Sequence, residues 1–79
     1  MNTVIKDYTE SKLLKEHPIF SACIEEVRQD LYKKWCESNF SDVTNREELH
    51  KLMVSLELVV SRLDSKIFLG EQELDNDQP

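Results

Sequence analysis

The sequence predicts an all-α fold: an antiparallel αα-hairpin with a short N-terminal helical arm, completing a helical bundle by self-association. Three observations carry this reading. Two long segments repeat their apolar residues at spacings of three and four. The 79 residues hold one Gly and two Pro, too little turn chemistry for a many-stranded β fold. Apolar residues also remain over once each helix has hidden one stripe.

Residues 1–16 read as a mixed N-terminal arm. Thr9 is placed to cap a short helical turn through Glu10–Glu16 that carries Leu13 and Leu14. His17-Pro18 interrupts it, because the residue before proline disfavours the α region while proline suits a helix's first turn. Pro18 is therefore expected to start the next element.

Residues 18–38 read as the first long helix. Phe20, Cys23, Ile24, Val27, Leu31 and Trp35 fall within about 120° of arc at about 100° per residue, the stripe of an amphipathic helix. Glu25, Glu26, Gln29, Asp30, Lys33 and Glu37 take the other side. The segment Ser38–Asp42 breaks the pattern, with Asn39 as a left-handed cap.

Residues 45–69 read as the second long helix. Thr44-Asn45-Arg46-Glu47 fits a capping box, in which a hydroxyl and a carboxylate each satisfy an unpaired amide. Leu49, Met53, Leu56, Val60, Leu63 and Ile67 then form a heptad seam. Gly70 stands where a helix-ending glycine belongs. The hairpin thus spans residues 17–70, and residues 71–79, EQELDNDQP, read as a disordered acidic tail.

One hairpin seam is a thin core for ordering this many residues. Val54, Leu58 and Leu69 lie about 140–200° from Leu49 at about 100° per residue. Tyr32 and Cys36 lie off the first helix's stripe. These residues need cover, and a dimer forming a four-helix bundle is the simplest closed solution. Tyr32, Trp35, Val54, Leu58 and Leu69 are the candidate interface residues, since tryptophan and tyrosine are frequent hot spots. For Trp35 the plainer reading is a plug at the loop end of the hairpin core.

The net charge of −6 is uneven. Glu71, Glu73, Asp75 and Asp77 sit in the last nine residues without a basic partner. The body before them is nearly balanced. Neither part offers the basic stripe that nucleic acid requires, and the same balance argues against anionic lipid. No apolar run approaches the roughly 18 residues of a membrane span, and MNTVIKDYTE lacks the apolar core of a signal peptide. Cys23 and Cys36, on one helix, stand about 20 Å apart at ~1.5 Å per residue, beyond the roughly 7 Å a disulfide tolerates. Two free thiols and a cytoplasmic location are expected, with Cys23 packed as a small hydrophobe.

Catalysis is not expected. His17 reads as a capping or exposed residue and His50 as a flank position. Neither pairs with Cys23 or Cys36 at the short spacing of a zinc site. Glu25, Glu26 and Asp30 stand among Arg28, Lys33 and Lys34, as on a solvated, salt-bridged face. The only glycine, Gly70, excludes a phosphate-binding loop. No cofactor is expected.

The stretches HPIFSACIEEVRQDLYKKW and NREELHKLMVSLELVVSRLDSKIFLGEQ resemble short helical proteins encoded by tailed bacteriophages and prophages. The shared features are a long first helix, a break, the Arg46-Glu47 helix start and the Gly70-ended second helix. The resemblance covers roughly residues 17–74. It implies a viral or prophage context and a non-catalytic accessory role, and it carries no site residues over. A self-associating accessory or assembly protein is the first expectation. A binding module that inhibits or adapts a host protein is the alternative. A DNA-mimic inhibitor is disfavoured, because Lys and Arg interrupt the acidic faces.

Overall fold

The computed structural model describes residues 2–76, whose regular structure is all helical: α1 (Thr3–Glu16), α2 (Pro18–Glu37) and α3 (Val43–Asn76). α1 is longer than the sequence suggested. Its cap is Asn2, whose side chain accepts from the Val4 N–H at 2.9 Å. Thr9 is inside the helix, its hydroxyl donating to the Ile5 carbonyl at 3.0 Å. A mid-helix threonine makes this bond because its hydroxyl reaches back one turn.

His17 ends one helix and begins the next. The proline after it holds it in extended backbone, with φ −69° and ψ 124°, as sterics require. Its N–H donates to the Leu14 carbonyl at 3.1 Å, and its Nδ1 accepts from the Ile19 N–H at 3.3 Å. Pro18 opens α2 as expected. Ser38 closes it, donating from both backbone and hydroxyl to the Trp35 carbonyl at 3.2 and 2.6 Å. Asn39 is not left-handed, since no non-glycine residue has positive φ among the described residues. Its side-chain oxygen instead accepts from the Ser41 N–H and hydroxyl, the local turn this residue type favours.

α3 begins two residues before the proposed start, and Asp42 caps it in place of Thr44. The Asp42 carboxylate accepts from the Asn45 N–H at 3.1 Å, and its carbonyl takes the first helical bond, from Arg46. A carboxylate there also meets the positive end of the helix dipole. α3 then passes through Gly70 without a break and runs to Asn76. Residues 71–76 are therefore helical and not a disordered tail. Residues 77–79 of that segment lie outside the described residues.

Gly70 is buried, and it has no positive φ. Its role is contact: a Cβ added there would overlap the Cβ and Cγ of Tyr8. α1 thus crosses α3 at the one position without a side chain, with the small Ser11 buried beside the crossing at 6% exposure.

Cross-links fix the directions. Asn2 donates to Glu73 at 3.0 Å, Lys66 pairs with Asp7 at 3.0 Å, and Lys15 pairs with Asp64. Arg28 pairs with Glu57 at 2.6 Å, and Arg46 stacks on Trp35. Residue numbers rise on one side as they fall on the other. α1 and α2 therefore lie end to end, antiparallel to α3, whose 34 residues give a length of about 51 Å at ~1.5 Å per residue. The resulting rod measures 59 × 23 × 19 Å.

The heptad seam is where the sequence put it. Leu49 is buried, and Met53, Leu56, Val60, Leu63 and Ile67 are half-buried. On α2 the inner row is Phe20, Ile24, Arg28, Leu31 and Trp35. Cys23 is exposed and Val27 is 43% exposed, so the stripe is narrower than read. With a single helix opposite, only about 100° of each surface is covered, and the positions at its margins stay wet.

Candidate interaction surface

Three regions of the rod carry exposed side chains of note. The first is the tip, where the α2–α3 loop turns. The Arg46 guanidinium lies 4.0 Å from the Trp35 ring centroid and 4.9 Å from that of Phe40. It donates to the Ser38 hydroxyl at 2.8 Å. Cation–π stacking with a bonded guanidinium holds all three side chains together. Trp35 is half-buried, covered on one ring face by Arg46. Phe40, at 88% exposure, is the outermost aromatic, and the sequence reading missed it inside a polar loop. An open concavity lies over this cluster, lined also by Val43, His50 and Lys51.

The second region is the seam's two edges. On one edge Arg28 crosses from α2 to α3 and grips Glu57 through Nε and Nη2 at 2.6 and 3.0 Å. The hydrogen bond to Glu57 raises the guanidinium pKa. The same bond holds the Glu57 carboxyl below the usual carboxylate value. Tyr32, one turn on from Arg28, shares that side and is 66% exposed. The Cys36 thiol, a further turn along, raises its hydroxyl pKa through hydrogen bonding and charge. The opposite edge has no such closure. Val27 from α2 and Leu52 and Val59 from α3 stand there at 43%, 55% and 56% exposure.

The third region is the back of α3, away from α1 and α2. Val54, Leu58, Phe68 and Leu69 lie there at 45%, 64%, 59% and 56% exposure. Of the five interface candidates, Val54, Leu58 and Leu69 therefore share one face. Tyr32 is on a flank, and Trp35 is at the tip within the seam. Phe68, Leu52 and Val59 were passed over. Their positions one or two residues from the seam residues were the available signal.

Cys23 and Cys36 are free and exposed. His17 is the helix cap described above, and His50 is exposed. No helix among the described residues is long and apolar enough to cross a membrane. Comparison with protein-family models, curated proteins and solved structures gives no match for this chain.

Proposed function

We propose that the protein is a non-enzymatic, self-associating helical hairpin with an accessory or assembly role in a phage or prophage setting, its bundle completed by a second copy. One observation supports the reading. Leu31 and Leu49, at 8% and 7% exposure, are the buried apolar side chains among the described residues. Leu52 and Val59, on the seam's open edge, stay more than half exposed. A chain this small needs more burial than that to offset the entropy of ordering it. Light scattering after size exclusion at micromolar concentration is expected to give about twice 9.3 kDa. A monomer with a cooperative melt would overturn the reading.

The back face of α3 favours a second reading, a module that binds another protein as inhibitor or adaptor. Val54, Leu58, Phe68 and Leu69 form an apolar surface separate from the seam's open edge. A dimer closed at the edge leaves this surface for a different chain.

A further inference from the structure

We infer that α3 pairs antiparallel with α3 of a second copy along the seam's open edge, through Glu48, Leu52, Ser55, Val59 and Arg62. This rests on the self-association reading and names the surface and the register.

The five residues recur at spacings of four and three and fall within about 80° of arc at ~100° per residue. They form one stripe beside the seam, on the side opposite the Arg28–Glu57 pair. All five are exposed. Leu52 and Val59 are the apolar members, and Val27 of α2 widens the patch.

The stripe is self-complementary when reversed. Ser55 is its centre. Glu48 lies seven residues before it and Arg62 seven after, each about 10.5 Å away along the axis at ~1.5 Å per residue. Leu52 lies three before and Val59 four after. A two-fold axis at Ser55 therefore sets Glu48 level with Arg62 of the partner subunit and the small serine against itself, with Leu52 and Val59 of the partner subunit staggered by one residue, about 1.5 Å along the axis. Such a patch meets the requirement of an isologous contact, in which residue i touches j and j touches i.

Charge selects this occupant and this direction. Neither Glu48 nor Arg62 takes part in an ion pair among the described residues. Antiparallel pairing gives each its opposite, whereas parallel pairing sets Glu48 on Glu48 and Arg62 on Arg62. Antiparallel pairing also keeps the two acidic ends, each carrying Glu71, Glu73 and Asp75, at opposite ends of the dimer. Like charges brought together at an interface suppress the parallel arrangement.

Sedimentation equilibrium of the full chain and its variants tests this. Glu48→Arg or Arg62→Glu alone is expected to weaken the dimer about tenfold or more, since each creates two like-charged contacts. The double variant Glu48→Arg/Arg62→Glu is expected to restore wild-type affinity to within about threefold, because the swap preserves opposition. Leu58→Asp, on the back face, is expected to leave it unchanged. In a Cys23→Ser/Cys36→Ser background, Ser55→Cys is expected to cross-link two copies on mild oxidation. A wild type that is monomeric at 100-fold above micromolar loading overturns this inference and the self-association reading together. A wild-type dimer that ignores both charge reversals, or that Leu58→Asp disrupts, overturns this surface alone. Loss on single reversal without restoration in the swap, or no cross-link at Ser55→Cys, overturns the antiparallel register.

Discussion

Gly70 shows how a single residue is misread when its neighbours in space are unknown. In sequence it looks like a helix terminator, followed by charged residues. In the structure it is a contact position, since Tyr8 lies where its side chain would be. Two effects oppose each other in Gly70→Ala. Helix propensity favours alanine by about 1 kcal/mol in a helix interior. Overpacking costs about 1–3 kcal/mol. Here the overlap is with Cβ and Cγ of Tyr8, close to the α1 backbone, so the side chain has no room to swing clear. The net expectation is destabilisation, read as a lower melting temperature and faster amide exchange in residues 3–16. An unchanged or raised melting temperature would show that α1 does not sit tightly on α3. Thr9 and Asn2 teach the same lesson at a cap. Both are good capping residues by type, and only the actual start of the helix decides which one caps.

At the level of elements, α2 and α3 were legible because each pairs a periodic apolar row with one facing helix. The Arg28–Glu57 link belongs to this scale, joining residues far apart in sequence across the seam. Its pH dependence follows from the lowered carboxyl. A carboxylate depressed in the folded state stabilises fully above its ordinary value, near 4.5, and that contribution fades as pH falls through the lower folded value. Both side chains are well exposed, so the effect is small. Glu57→Gln is expected to lower the melting temperature slightly at pH 7, with the difference from wild type shrinking as pH falls through the lowered folded value. A difference that does not shrink on acidification would assign the loss to packing and not to charge. Of α1 only the turn through Glu10–Glu16 was legible, for a physical reason. Its apolar residues Val4, Ile5, Leu13 and Leu14 point in different directions and form no stripe. What attaches it is a close approach at Gly70 with Asp7–Lys66, Lys15–Asp64 and Asn2–Glu73, all contacts between residues distant in sequence.

For the whole molecule, the dominant fact is a rod 59 Å long with little interior. Two rows of helix can shelter one seam, and everything beyond that seam meets water. If a second copy supplies the missing cover, folding and association share one equilibrium. The melting temperature is then expected to rise with protein concentration, because mass action stabilises the associated state. Circular dichroism melts from about 1 to 100 times the dissociation constant check this. A melting temperature independent of concentration over that range would mean that the single chain is stable with its thin core.

The sequence by itself determined the helical class, the seam from Leu49 to Ile67, and the break at His17-Pro18. Each of these is written in local terms: a period of three and four, or a backbone restriction imposed by a ring. Only the tertiary structure decided where α3 begins and ends, that Gly70 is a crossing point, and that the arm is a full helix laid along α3. It also decided that Trp35 is held under Arg46 and that Cys23 is outside. These depend on which side chains meet across the rod. Such encounters are set by the register of antiparallel helices, which the apolar period leaves free to slide until a small residue, a proline or an ion pair fixes it.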